Sequence, residues 1–326
     1  MRILILHRVP YRKINYARCL EHELHEVTYF GEESALADLP LGLRCRKQVA
    51  KTDNIIEEVV AYAKSLNFSE RFEVLLALSE IDLPAAAEIR ERLQLATGPR
   101  PEDVSCARDK VLMKSLITAA GILAPRFLGF EGWHKNHAVI WDGPTILKPL
   151  EQCGSEGVQY FSNIGEAVTN WKNLADPQNY EIEEFVDAKI IHVDGIVRHG
   201  EIYDCIAHDY VGTCLDFAKG LPLGSAQRAE VSGALLNFSQ ACLSVLGVET
   251  GAFHLEAFER IGRDGVKEYV FLEVANRLGG GEVIALFEAR KGLHLPTAEI
   301  CVWLEEYAEQ FGVDFELAEI QVLSLI

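Results

Sequence analysis

Short apolar runs alternate with amphipathic stretches through the first hundred residues. RILILH, Arg2 to His7, reads as a buried opening strand, and Pro10 breaks it. A helix over Tyr16–Leu24 and a strand over His25–Phe30 follow. Thr52–Leu66 places Ile55, Ile56, Val59, Val60 and Ala63 at helical spacing. Phe72–Ala77 reads as the next strand, and Asp82 as a cap for a helix over Leu83–Leu95. Strands alternating with helices predict an open parallel sheet for residues 1 to about 100. TGPRPEDV, residues 97–104, is turn-rich and marks a boundary.

Beyond it the pattern changes. A helix over Ala107–Ala120 ends at Gly121, and Pro125–Gly129 is extended. Trp141–Pro144 marks a turn, Thr145–Pro149 a strand, Glu151–Gly157 a loop and Val158–Phe161 a return strand. A helix over Gly165–Trp171 precedes strands at Tyr180–Val186, Lys189–Val197 and Glu201–Val211. Gly212–Ser225 reads as an irregular connection and Gln227–Leu246 as a helix. GAFHLEAFERIGRDGVKEYVFLEVANRLGGG, residues 251–281, is a hairpin with an Asp264-Gly265 turn signal. Helices over Glu282–Lys291 and Thr297–Phe311 follow, and LAEIQVLSLI reads as a last strand.

Alternation puts Phe253 and Leu255 on one face of the hairpin and His254 and Glu256 on the other. In the second run Val270, Leu272 and Val274 share a face, opposite Phe271, Glu273, Ala275 and Arg277. A turn centred at Arg263-Asp264 sets Glu256 opposite Phe271 and Glu273 opposite His254, leaving the glutamates about 7 Å apart on a diagonal. Such a pair is either two solvated carboxylates or the seat of a hard divalent cation.

Composition narrows the classes. The chain has 326 residues and is 49% hydrophobic, enough for a sizeable core in two or three lobes. A net charge of −18 argues against nucleic acid or an anionic membrane as the main partner. The 8 cysteines form no CxxC pair, which fits reduced thiols in a cytoplasm better than a disulfide frame or a zinc site. MRILILH lacks the length and cleavage pattern of a signal peptide, and no run reaches the roughly 20 apolar residues of a membrane span. P-loop and GxGxxG patterns are absent.

Four segments carry candidate chemistry. Lys148 sits in the apolar strand TILKPL, where a lysine needs a partner or must snorkel. Gly154-Ser155-Glu156-Gly157 follows, a loop whose backbone N–H groups can approach an anion, or a plain hairpin turn. Lys110 opens the helix RDKVLMK, as a phosphate contact or a surface lysine. Glu183, Glu184, Phe185 and Val186 end a strand, as an adenine-reading edge or a solvated acidic one.

Taken in order, these segments and HLEAF, FLEVANRLGGG, LALSEIDLPAAAEIRERLQL and RDKVLMKSLITAAGILAPRF resemble the ATP-grasp superfamily over essentially the whole chain. Within it the chain resembles the carboxylate–amine ligase branch, with biotin carboxylase and the D-alanine–D-alanine ligases. The resemblance implies an α/β chain: an N-terminal open parallel sheet domain, residues 1–104, then a two-lobed ATP-grasp α+β domain with a small lobe, 105–186, and a large lobe, 187–326. It implies that Lys110 and Lys148 contact nucleotide phosphates and that Gly154, Ser155 and Gly157 close over them. Glu183, Glu184, Phe185 and Val186 become the hinge that holds adenine, and His192 falls near the ribose. Glu256 and Glu273 become magnesium ligands, with Mn2+ as a substitute, and Arg277 the cation that steadies a carboxylate or acyl phosphate.

Two departures stand out. The family's Glu-x-Asn metal strand has Ala275 in place of asparagine, and Asn276 should face away. Relatives carry more sequence after the GGG segment, so the chain is expected to be compact or truncated, with its acceptor pocket undefined. The implied function is ATP-dependent ligation of a small carboxylate and an amine, amino acids among them, through an acyl phosphate. The alternatives are a bicarbonate-using carboxylase-like enzyme and a non-catalytic nucleotide-binding protein. Family habit adds a cytoplasmic homodimer without nucleic-acid or membrane partners.

Overall fold

The computed structural model describes residues 1–136, 141–152, 154–262 and 265–311. The Arg263-Asp264 turn centre and the strand expected at the C-terminus lie outside the described residues. Three sheets organise the chain. The first is parallel, with β1 (Arg2–Leu6), β2 (Glu26–Gly31), β3 (Arg46–Val49) and β4 (Val74–Ala77) in the order β3-β2-β1-β4. Leu4, Leu6 and Leu75 pack on one face against Val59, Val60, Ala86 and Ile89 of the two amphipathic helices. Ile3, Ile5 and Leu76 on the other face meet Ile300 and Leu304 of helix Leu295–Phe311, which returns from the far end of the chain.

The second sheet is antiparallel, with β5 (Phe127–Gly129), β6 (Thr145–Pro149), β7 (Gln159–Phe161) and β8 (Tyr180–Glu184) in the order β5-β8-β6-β7. Leu147 and Ile182 pack on Ala167, Val168 and Trp171 of helix Ile164–Lys172. The third sheet holds β9 (Lys189–Arg198), β10 (Glu201–Val211), β11 (Gly224–Gln227), β12 (Gly251–Ile261) and β13 (Lys267–Ala275) in the order β11-β10-β9-β12-β13. Helices Lys110–Ala119 and Gly233–Val245 cover one face of it through Met113, Ile117 and Leu235 against Val193, Phe253 and Phe271. An N-terminal parallel sheet followed by two antiparallel lobes is the expected fold class.

Several local expectations need correcting. Glu256 stands directly opposite Glu273, and His254 opposite Ala275, because the hairpin pairs one residue off the expected register (Ile261 opposite Lys267) and a bulge between Glu256 and Ala257 shifts it by one more. The extra residue on the partner strand is Leu272. Phe271 therefore joins the core with Phe253 and Leu255, while Leu272 and Glu273 both face the cavity described below. Asp82 does not cap its helix; its carboxylate accepts from Arg8 Nε at 2.9 and 3.0 Å. The boundary segment holds a helix, Pro101–Cys106, with Pro101 at its first position. Of the first expected helix, Tyr16–Leu24, only Tyr16–Cys19 forms. The connection after β10 contains helix Cys214–Ala218 and β11, so the next helix starts at Gly233, capped by Ser232. β3 went unread because RKQV is a short, charged edge strand without an apolar face.

Candidate nucleotide-binding site

Alternation in β6 and β8 builds the floor of the site. Ile182 points into the core, so Glu181 and Glu183 point the other way, beside Lys148 and Ile146 on the neighbouring strand. Helix Lys110–Ala119 crosses above them. Its residues 110, 113, 114 and 117 share a face, which brings Lys110 and Lys114 down with Met113 and Ile117. Asp109 caps this helix by accepting from Val111 N–H and Leu112 N–H.

Lys114 is fully buried, and its Nζ lies 2.5 Å from both Glu181 Oε1 and Glu183 Oε2. Lys148 Nζ lies 2.7 Å from Glu183 Oε1 and 3.8 Å from Glu181 Oε1. Burial opposes the charge on Glu183, yet the two lysines outweigh it and hold the carboxyl down at about 2. Burial raises Glu181, and Glu183 adds to the lysine-opposed rise. Burial works against Lys148 as well, but Glu183, Glu181 and Glu273 keep it an ammonium. Lys148 is thus a buried cation whose remaining donor capacity faces the cavity.

Lys110 reaches across the gap between the lobes. Its Nζ donates to Gln152 O at 2.9 Å and Leu150 O at 3.3 Å, and stands 3.2 Å from Glu273 Oε2. It thereby pins the entrance of the glycine loop. Gly154, Ser155 and Gly157 all take positive φ, at 65°, 61° and 73°, left-handed turns of the kind that can leave backbone N–H groups open to an anion. Glu256 is nearly buried; it accepts from Tyr210 Oη at 2.5 Å and lies 3.2 Å from His254 Nε2. Burial raises its pKa, but His254 and Tyr210 prevail and keep it below the ordinary carboxylate value.

These groups surround a cavity of about 240 Å3 between the second and third sheets. One half is polar, with the charged Lys110, Lys148, Glu183, Glu256 and Glu273 and the hydroxyl of Ser155. The other half is apolar: Ile146, Val158, Phe185, Ile190, Phe258 and Leu272. An apolar slot joined to a mixed-charge end suits a flat ring carrying an anionic tail and a hard cation. Cys214, on the connection after β10, lines the mouth.

Other expected residues lie elsewhere. Glu184 turns outward to Arg126, whose Nε donates to its Oε2 at 2.6 Å. Val186 packs with Phe258 and Leu272 behind the slot, and Gly154 and Gly157 shape the loop without lining the cavity wall. His192 does not line the cavity; although it shares a sheet face with Glu256, its partner on β12, it is buried against Asp194 and Ser225. Arg277 is held by Glu80, at 2.5 Å from its Nη2, and donates to Leu278 O. Asn276 faces away from the metal strand, donating to Thr250 O and Ala252 O.

Lys114, Glu181 and Tyr210 escaped the sequence reading, and His254 was placed on the Glu256 face without a role. The signal for the first two was present: a lysine at i+4 from Lys110 on an apolar helix face, and YEIEE alternation around Ile182.

No family model matches the chain, and no curated protein matches it. Solved structures do. The L-amino acid ligase of Bacillus licheniformis superposes with a TM-score of 0.69 at 18% identity, covering 93% of this chain and 74% of that one. The phosphoribosylglycinamide synthetase of Anaerococcus prevotii gives 0.65 at 15%, covering 93% and 75%. The D-alanine–D-alanine ligase of Bacillus anthracis, solved with ATP, gives 0.61 at 14%, covering 95% and 99%. At such identities the likeness speaks for the fold alone.

Proposed function

We propose that this chain is an ATP-dependent ligase that activates a small carboxylate as an acyl phosphate and joins it to an amine. The observation that carries the reading is the single cavity on which Lys110, Lys148, the Ser155 loop, Glu256 and Glu273 converge. The base of ATP lies in the apolar half, against Phe185, Ile146 and Leu272, with the 183–186 backbone along its edge. Lys110, Lys148 and the N–H groups of the 154–157 loop hold the phosphates, and that loop with the connection after β10 excludes water.

The residues fit a magnesium ion. Two carboxylates stand directly opposite each other, one of them with its side chain 28% exposed, and the Lys110 ammonium already occupies a cationic position beside it. Glu256 and Glu273 would hold the ion, which supplies neutralisation of phosphate charge. Ala275 brings no further ligand, so water completes its shell.

The carboxylate oxygen attacks the γ-phosphorus, ADP leaves, and the amine nitrogen then attacks the acyl carbon, releasing phosphate and a proton. Arg277 suits the carboxylate, since its planar fork matches two oxygens, and Glu80 is the group it must give up. A second cavity, of about 840 Å3, opens at the carboxyl ends of β1 and β2. Glu32, Asp38, Asp53 and Asp82 outnumber Arg8 and Lys51 there, a balance that favours a cationic amine such as an amino acid.

ADP release across a matrix of amino acids and small carboxylic acids tests the reading. Turnover needs one acid, one amine and Mg2+, and Glu273→Gln lowers it at least about a hundred-fold while the protein stays folded. Bicarbonate-dependent ADP release without an amine means a carboxylase-like enzyme instead. ATP binding with no turnover on any pair leaves only nucleotide binding.

A further inference from the structure

The third sheet carries a second set of ionisable groups, buried beside the nucleotide cavity on the face that also holds Glu256. His192 and Asp194 alternate along β9 onto one face. His208 stands opposite His192 on β10, and His254 opposite Asp194 on β12. His192, Asp194 and His208 are at most 1% exposed. One aspartate thus lies among three imidazoles in the interior.

Hydrogen bonds account for all but one of them. His192 Nδ1 lies 2.6 Å from Asp194 Oδ2, and its Nε2 lies 2.9 Å from Ser225 Oγ. His254 Nδ1 lies 2.7 Å from Asp194 Oδ1. His208 is different. Both of its nitrogens are buried without a hydrogen-bond partner among the described residues, and Nδ1 stops 3.8 Å short of Asp194 Oδ2. Its ring lies almost parallel to His192, 15° apart with centroids at 4.7 Å. Burying an imidazole with neither nitrogen paired is costly. Burial also depresses the basicity of His208, with His192 next, so protonation does not relieve it.

We propose that His192, Asp194 and His208 form a buried site for a divalent transition-metal ion of the zinc type. One ligand atom from each of the three lies within 4.8 Å of the others, so modest side-chain rotation converges them on one centre. Two imidazoles and a carboxylate select zinc, cobalt or nickel over magnesium and calcium, which want oxygen alone. The outer partners match what such a site needs. Ser225 accepts from the far nitrogen of His192, and His254 donates to the far oxygen of Asp194, which fixes both ligands in orientation. Three protein ligands leave one tetrahedral position for a water molecule. Buried beside the cavity, the ion joins β9 to β10 and fixes Asp194, which holds His254 against Glu256. None of the three ligands lines the nucleotide cavity, so retention of the ion is read without any turnover.

The full chain, saturated with zinc in excess Mg2+ and then gel-filtered, should retain a single zinc per molecule by mass spectrometry. Cobalt in its place should give the intense visible absorption of a four-coordinate nitrogen–oxygen site, unchanged by added ATP. His208→Phe keeps a ring against His192 and should lose the ion. Ser225→Ala, on the exposed strand β11, should weaken zinc about ten-fold or more without loss of fold. The proposal is overturned if the wild-type chain retains no zinc, if cobalt shows only its weak octahedral spectrum, or if Ser225→Ala leaves zinc affinity unchanged.

Discussion

Lys114→Met removes one of four charges packed together beneath the nucleotide cavity. Lys114 and Lys148 balance Glu181 and Glu183, and their side chains are 0%, 5%, 0% and 4% exposed. Without Lys114 the site holds two carboxylates and one ammonium, with no solvent to screen the excess. Breaking a buried pair from one side costs about 3–5 kcal/mol, roughly a fifth or more of a typical domain's stability of about 5–15 kcal/mol. The chain has one way to relieve the loss. Burial already pushes the Glu181 carboxyl up, and losing its nearest cation pushes it further, so it takes up a proton as the pH falls. Urea unfolding followed by circular dichroism should therefore show a larger loss at pH 8 than at pH 5. Adding Glu181→Gln to Lys114→Met restores one carboxylate per lysine and should recover much of the loss. A cost under about 1 kcal/mol, the range of exposed pairs, would refute the buried network. Strict additivity of the two changes would refute it as well.

Three further outcomes follow from the same geometry. Glu80 competes for Arg277, so Glu80→Gln should lower the KM for the carboxylate several-fold with ATP affinity unchanged, measured by steady-state ADP release. Gly157 sits at φ 73° with Pro149 Cγ 2.9 Å from where a Cβ would stand, so Gly157→Ala should strain the loop by about 1–2 kcal/mol and weaken ATP binding about ten-fold by calorimetry. Glu183 is depressed from 4.5 to about 2, so its folded form stays ionised where the unfolded chain binds a proton. Its contribution is present above pH 4.5 and is lost as the pH falls toward 2. The stability gap between wild type and Glu183→Gln should close across that window in urea titrations.

The parts of the fold legible in the sequence are those with a strong period and a local cause. RILILH and the helix Ile55–Ser65 are fixed by apolar spacing, and the residue pattern of 251–275 gives a hairpin before any contact is known. Charged strand β3 and the short helices were illegible because their stability comes from neighbours. The candidate site was half legible. Lys148 announces itself as a lysine in an apolar strand, while Lys114 looks like any helix lysine until β8 lies beneath it.

The same division runs through the hairpin. Composition and alternation, read from the chain alone, determine that Glu256 and Glu273 lie on strands that face solvent or a ligand with one side. Only the tertiary structure decides that they stand directly opposite, because a bulge is set by packing: Phe271 and Val274 are both drawn into the core, and Leu272 is the residue displaced. It also decides the partners of Arg277 and His192, since Glu80 and Asp194 reach them through the meeting of sheets and the pairing of strands. A period of two or 3.6 residues specifies which way a side chain points along its own element. What it meets there depends on long-range registry, which no local pattern encodes.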